Sequence, residues 1–493
     1  MWGIQGLLRG FWAPDEARFV YVAGEMAAEG HFFVPYRSGV FYAHKPPLLF
    51  LLMNLFALPF GGQINGFVAR LPSLIGAFLS LYATASIATR LGGAKAAWRA
   101  IAVLSTTFLF WQVNSMGQMD ALLTGFIMSA IALLWPDVKV ATASSRCQRQ
   151  DAVATFIFFL AGFCMGCGTL LKGPVAFAIP ILALLAAKIF SQTSWRFNPK
   201  IFITFLGLLI PPAIWLTGAY FENPPDGYFK ELLYDQIFKR AGGNFGHVKS
   251  PFYFLWHFPI EFMPWTLALP FVGRAKASRQ AENGRLTGTV SPYRMLLAWM
   301  LAIIIFFSIF TSKRNLYILA AYPAAAIMVA LAWDDLKPRL LNRCALAFLT
   351  AFFYAGIIVY PVLDAFKTPF TIRDEVAPYL ASDDAGKPRL ALVGTNGEIY
   401  ALYAGVKGIT FGIQGNRALE DSRGEMGRFA EYVEANDRGA AIIGATYFNA
   451  HHGDEIVALM ESKGGFYEIR NMRVGQKRGD KSDKLLLWGD PAF

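Results

Sequence analysis

A succession of apolar stretches, each close to the length that crosses a bilayer, restricts the fold of this 493-residue chain more than any other feature. They run over 67–90, 96–115, 120–136, 152–171, 174–190, 201–220, 252–272, 294–311, 315–333 and 344–362. Backbone polar groups in hydrocarbon have no water to bond, so each stretch reads as a helix and the chain as a polytopic α-helical membrane protein with about ten spans. Composition agrees: 55% of residues are hydrophobic and only 16% charged, which excludes an ordinary soluble protein.

The formal charge of +11 is spread in short clusters between apolar stretches, with no nucleic-acid motif, so a nucleic-acid partner is excluded. The connections after alternate segments carry Arg90, Lys95 and Arg99; Lys139, Arg146 and Arg149; Lys188, Arg196 and Lys200; Arg274, Lys276, Arg279, Arg285 and Arg294; and Lys337, Arg339 and Arg343. Positively charged loops stay on the cytoplasmic side. Residues 1–66, the other connections and 364–493 are then extracytoplasmic.

Three domains are expected on this basis. Residues 1–66 form a first outer loop with juxtamembrane helices, 67–363 a transmembrane domain, and 364–493 a small soluble α/β domain, in which short apolar strands such as 390–393 and 441–443 alternate with polar helical stretches. Residues 46–60 open with Pro46-Pro47 and are too short to span, so they read as an interfacial helix. A further surface helix is expected around Tyr228–Lys239. Met1–Trp12 is too short to span and lacks the build of a signal peptide, so a first spanning helix is expected to be missing from this chain. The four cysteines are scattered; Cys164 and Cys167 form a C-x-x-C inside an apolar run, which reads as helix packing.

This topology collects one set of ionisable residues on the outer face: Asp15, Glu16, Lys45, Asp120, Lys172, His247, Lys313 and Arg314. Each has an ordinary reading. Asp15-Glu16 suits a helix N-terminus after Pro14, the lysines and Arg314 suit headgroup anchoring, and His247 alone suits a surface histidine. Asp120 opens an apolar segment with no basic residue nearby in sequence, a costly placement that points to function. Together, cations that hold a phosphate and carboxylates that orient or deprotonate an acceptor suit transfer of a sugar from a phosphorylated lipid.

Two motifs are more specific. Trp12-Ala13-Pro14-Asp15-Glu16-Ala17-Arg18-Phe19 and Gly39-Val40-Phe41-Tyr42-Ala43-His44-Lys45-Pro46-Pro47-Leu48, followed by Gln118-Met119-Asp120-Ala121, Leu171-Lys172-Gly173-Pro174 and Ser312-Lys313-Arg314-Asn315-Leu316-Tyr317, resemble in order the lipid A aminoarabinose transferase family of GT-C, protein O-mannosyltransferase-like glycosyltransferases. The resemblance covers most of 12–330. It implies a GT-C fold in the bacterial inner membrane and a polyprenyl (undecaprenyl) phosphate sugar as donor. The acceptor it implies is lipid A; another glycan or a protein stays open as the alternative, and a lipid or sugar transporter is the more distant one. By the same resemblance Asp15 and Asp120 are catalytic, with Glu16 joining them as the neighbour of Asp15 in the acidic pair, and substrate binding falls to Arg18, Tyr42, Lys45, Lys172, Lys313, Arg314 and Tyr317. The family has Glu where this chain has His44. His44 and His247 are thin candidates for a divalent metal, and no cofactor is required by the reading.

Overall fold

A computed structural model describes residues 9–12, 14–135, 148–190, 198–232, 234, 249–272, 292–336, 338–382, 388–395, 397–411, 413–414, 417–418, 423–449, 453–472 and 482–490. The expectations placed on residues 1–8, on His247 and on 235–239 of the 228–239 helix lie outside these.

Pro14 and the acidic pair behind it open α1 (Asp15–Glu29), which Gly30 closes in the left-handed conformation. A short hairpin, β1 (Tyr36–Arg37) and β2 (Val40–Phe41), follows, and then α2 (Leu48–Ala57). With its 3₁₀ extension α2 reaches only Phe60, an apolar helix of less than spanning length. The Asn65 side chain accepts from the N–H groups of Phe67 and Val68 and so starts α3 (Gly66–Ser105), an N-cap. The helix is broken at Gly93, whose φ of 77° is accessible to glycine. Where one segment was expected over 96–115, α3 therefore ends at Ser105 and a separate α4 (Phe108–Asn114) begins; a bend of 115° divides α4 from α5 (Met119–Leu134).

Helices α6 (Gln148–Lys172), α7 (Val175–Ile189) and α8 (Ile201–Phe221) follow. The expected segment 252–272 is also divided, into α9 (Tyr253–Glu261), a turn with a cis Met263-Pro264 bond and a 3₁₀ turn at Trp265–Ala268. Next come α10 (Pro292–Ile309), a 3₁₀ stretch Asn315–Ala321 leading into α11 (Tyr322–Leu331), and α12 (Pro338–Tyr354), which continues through a π turn to Lys367. Among the described residues five helices are long and apolar enough to cross a membrane, or six with the bent pair taken as one span. Their outer surfaces expose Phe78, Phe156, Phe202, Phe205, Leu346 and Ile358, as suits a chain whose solvent at that level is lipid.

Small residues set the helix seams. A Cβ added at Gly76 would lie 2.3 Å from the Ala121 carbonyl oxygen, and one at Gly162 would lie 1.9 Å from that of Thr204. α3 against α5, and α6 against α8, are therefore in backbone contact.

The C-terminal part is an α/β domain. Its six-stranded sheet runs in the order β3 (Ala381–Ser382), β4 (Pro388–Val393), β8 (Gly439–Ile443), β10 (Lys484–Trp488), β9 (Tyr467–Asn471), with β5 (Lys407–Phe411) also paired to β4; a separate two-stranded hairpin joins β6 (Ile413–Gln414) and β7 (Arg417–Ala418). β4 lies parallel to β5 and β8. Alternation along the strands gives the sheet two faces. Leu390 and Leu392 pack with Ala17 and Tyr21 of α1, while Ala391 and Val393 pack with Phe429, Ile443 and Trp488 under the domain's own helices. The remaining side of α1, Phe19, Val20, Val22, Ala23 and Met26, joins the membrane-domain core. α1 is thus enclosed between membrane helices and soluble sheet.

Candidate active site

The first turn of α1 places Asp15 and Arg18 one turn apart, and they form an ion pair. The other Asp15 oxygen accepts from Arg314 at 3.0 Å. Arg314 comes from the extended residue that opens the 3₁₀ stretch at Asn315, almost 300 positions away. Burial works to raise the Asp15 pKa, but Arg18, Arg314 and Lys45 outweigh it and hold the carboxyl below its ordinary value. Asp15 is therefore an anion at neutral pH, ringed by cations.

A second pair lies beside it. Asp120 stands in the first turn of α5, immediately after the 115° bend, and Lys172 in the last turn of α6, ahead of the Gly173-Pro174 turn. Their charged atoms meet at 2.5 Å. The Lys172 ammonium also lies 4.6 Å from the centre of the Tyr317 ring, a cation–π contact. Asp120 adds to the forces that keep Arg314 charged, which links the two pairs electrostatically. Tyr42 is buried against Phe50 and His44. Its hydroxyl has no hydrogen-bond partner among the described residues, and burial pushes its pKa up, so it is a neutral donor without an acceptor.

Two expected site residues have other employment. Glu16 accepts from Arg9 (2.9 and 3.2 Å), Arg70 (2.7 Å) and the backbone N–H groups of Trp12 (3.0 Å) and Gly117 (2.8 Å). A carboxylate offers about four lone-pair sites, so Glu16 has no capacity left for an acceptor and serves as the hub that ties the first loop to α3 and to the α4–α5 bend. Its burial raises the pKa, yet the two guanidiniums prevail and hold it at about 2. Lys313 is buried, and its ammonium donates to the backbone carbonyls of Phe310 and Lys249 rather than to a carboxylate. The neighbours Lys313 and Arg314 thus divide into one held by backbone carbonyls and one paired with Asp15.

His44 approaches the Glu231 carboxylate at 3.6 Å. Among the described residues no group of three His, Cys, Asp or Glu side chains is placed to hold a metal. The residues missed in the sequence are the supports. Arg70 carried a signal, a cation four positions into an apolar segment; Arg9, Arg37 and Glu398 carried none, because their partners lie far away in sequence.

Residues 44–215 match the family model described as dolichyl-phosphate-mannose-protein mannosyltransferase. The chain is 27% identical over 395 residues to the undecaprenyl phosphate-alpha-4-amino-4-deoxy-L-arabinose arabinosyl transferase of Enterobacter sp. (strain 638), covering 75% of this chain and 66% of that protein. It is 28% identical over 325 residues to the enzyme of the same name from Edwardsiella ictaluri, covering 65% and 55%. The chain thus spans between about half and two thirds of the length of these relatives. Among solved structures it is similar to ArnT from Cupriavidus metallidurans bound to undecaprenyl phosphate, with a TM-score of 0.76 at 18% identity over 99% of this chain and 95% of that one. That likeness extends through the membrane helices, the enclosed first loop and the C-terminal sheet, and it gives the fold as GT-C. Sequence and fold agree: this chain, with several helices long and apolar enough to cross a membrane, has the GT-C fold and is similar in sequence to undecaprenyl phosphate aminoarabinose arabinosyl transferases over part of their length.

Proposed function

We propose that the chain transfers a sugar from an undecaprenyl phosphate donor to lipid A on the extracytoplasmic face of the inner membrane. The observation that carries this reading is the meeting of Asp15, Arg18, Arg314, Asp120 and Lys172 at one end of the helical bundle. Such a set can accept a lipid phosphate and present a carboxylate to a second substrate. The relatives' names point to the same donor class.

The opposite end of the bundle supports the orientation. Arg70, at the site end of α3, and Arg90 are separated by a helical rise of about 30 Å. Arg90 donates to the Ala132 carbonyl near the end of α5, and Arg99, beyond the Gly93 break, pairs with Asp334; the sequence pattern assigns these residues to the basic, inner side. This arrangement supports an outer position for the carboxylate–cation set.

In the transfer, an acceptor oxygen attacks the anomeric carbon, the bond from that carbon to the donor phosphate oxygen breaks, and the phosphate leaves with the electron pair. Arg18, Lys45, Lys172 and Arg314 stabilise the negative charge that grows there; the two guanidiniums suit phosphate through paired N–H donors. The Tyr42 hydroxyl supplies one more donor. Asp15 orients the acceptor. A phosphate acceptor arrives ionised, so its placement matters more than removal of a proton. Asp120 holds Lys172 and its loop in register with the sugar.

The test is mass spectrometry of lipid A and of total polyprenyl phosphate lipids from cells with and without the gene. Loss of a sugar mass from lipid A with accumulation of the donor lipid is expected. An accumulated donor with unchanged lipid A would move the acceptor to a protein or another glycan, in line with the matched mannosyltransferase model. No change in either pool would overturn the assignment.

A further inference from the structure

The C-terminal domain meets the site loop through more than apolar packing. Arg37 on β1 and Glu398 in the first turn of helix Glu398–Ala404 form an ion pair with 6% and 3% of their side-chain surfaces exposed. Taking two such charges out of water is costly. A simple docking contact has no need of them, since Ala17, Tyr21, Leu390, Leu392 and Tyr400 already bury apolar surface at the same junction.

What the pair holds is the β1–β2 hairpin. Arg37 stands opposite Val40, and the N–H of Tyr42 donates to the Pro35 carbonyl at 2.7 Å. The hairpin tip has positive φ at Ser38 and Gly39, and both N–H groups donate to the Glu25 carboxylate on α1, at 2.6 and 2.7 Å. Strand β5 closes the other side. The Gly408 N–H donates to the Tyr21 hydroxyl at 2.8 Å, and a Cβ at Gly408 would lie 3.2 Å from the Ser38 hydroxyl. Lys407 beside it pairs with Glu29 at the far end of α1. Helix α1 and the hairpin therefore touch the C-terminal domain at Tyr21, Glu29, Arg37 and Ser38, with Asp15 and Arg18 just before these contacts and Tyr42, His44 and Lys45 just after them.

We propose that Glu398 is a positioning residue: acting through Arg37, it sets the hairpin and α1, so that the C-terminal domain completes the geometry of the Asp15–Arg18 pair and the Tyr42 hydroxyl. Electrostatics run the same way. Burial opposes the charge of Arg18, and Tyr42, Asp15 and Glu398 outweigh it, leaving its pKa above the ordinary value. The activity part of the inference rests on the transferase reading; the mechanical part does not.

The experiment compares four forms of the full chain in detergent micelles: wild type, Glu398→Gln, the charge swap Arg37→Glu with Glu398→Arg, and Arg470→Gln. The last breaks an exposed pair with Glu375 inside the same domain and serves as the control. Hydrogen exchange of peptides from residues 15–45 is read alongside transfer from undecaprenyl phosphate aminoarabinose to lipid A. Glu398→Gln is expected to speed exchange across 15–22 and 36–45 and to lower kcat by about 10²-fold, the loss that a displacement of roughly 1 Å brings. The swap is expected to restore exchange protection and, with it, most of kcat, because the reversed pair holds the hairpin in the same place. Arg470→Gln is expected to match wild type in both.

Unchanged exchange over 15–45 in Glu398→Gln would overturn the proposal, whatever the transfer assay gives. A swap that restores exchange protection but leaves kcat at the Glu398→Gln level would also overturn it, because position would then not carry the activity. A wild type that transfers nothing would sink the transferase reading instead, and exchange would still decide the coupling.

Discussion

Asp15 and Glu16 are adjacent carboxylates in the first turn of α1, the first half-buried and the second buried, yet their partners send them to different tasks. Asp15 shares its oxygens between Arg18 and Arg314, whose side chain is 39% exposed and can turn to a substrate. Glu16 is closed on every side. Replacing Asp15 by Asn is expected to lower transfer by about 10²-fold or more while the melting temperature in detergent stays near wild type; normal turnover by that variant would remove Asp15 from the mechanism. Replacing Glu16 by Gln leaves two buried guanidiniums without their anion, and a loss of about 3–5 kcal/mol is expected, read as a melting temperature that falls together with activity. The pH dependence has a definite sign. The folded pKa of Glu16 is depressed from 4.5 to about 2, so its contribution is complete above 4.5 and is lost as pH falls towards 2. Acid melts of wild type and Glu16→Gln are expected to converge over that window, and parallel curves would contradict it.

Glycine seams decide how closely the helices approach, and through them how the site's elements meet. The α6–α8 seam holds the end of α6 that presents Lys172, with Gly162 against Thr204 and Gly207 against the Phe159 carbonyl. Gly162→Leu forces a side chain into backbone atoms, and loss of the monodisperse peak in size-exclusion chromatography is expected. Gly24 gives the contrast. It lies within α1, where an added Cβ meets nothing within 4 Å; Gly24→Ala is expected to be tolerated and to add about 0.5–1 kcal/mol of stability from helix propensity. A destabilised Gly24→Ala would mean that α1 is packed more tightly than its surroundings show.

For the whole molecule, the reading predicts an outer site and outer C-terminal domain with basic loops inside. Single cysteines at Lys463, in the helix Gly453–Lys463, and at Lys95, near the Gly93 break, on a background with the native cysteines replaced, are expected to react from opposite sides of intact spheroplasts with a membrane-impermeant maleimide. Labelling of both from the same side would overturn the orientation. The same scale explains why one helix joins two domains. α1 has apolar residues on both faces, Ala17 and Tyr21 towards the sheet and Phe19, Val22 and Met26 towards the membrane core, so neither domain buries it alone.

Much of this was written in the linear chain. Apolar length separated membrane helices from soluble strands, since the bilayer allows no other way to satisfy the backbone, and charge placement sorted the loops. Asp120 stood out as a carboxylate opening an apolar segment, where charge is expensive, and the structure pairs it with Lys172 as it pairs Arg314 with Asp15. Only the tertiary structure decided how the candidates divide: Glu16 as a saturated hub, Lys313 as a carbonyl-bound anchor, and Arg37 with Glu398 as the joint to the C-terminal domain. The physical reason is that a charge's role depends on which partners desolvate and neutralise it. Those partners, at separations such as 15 with 314 or 37 with 398, are set by packing rather than by local pattern.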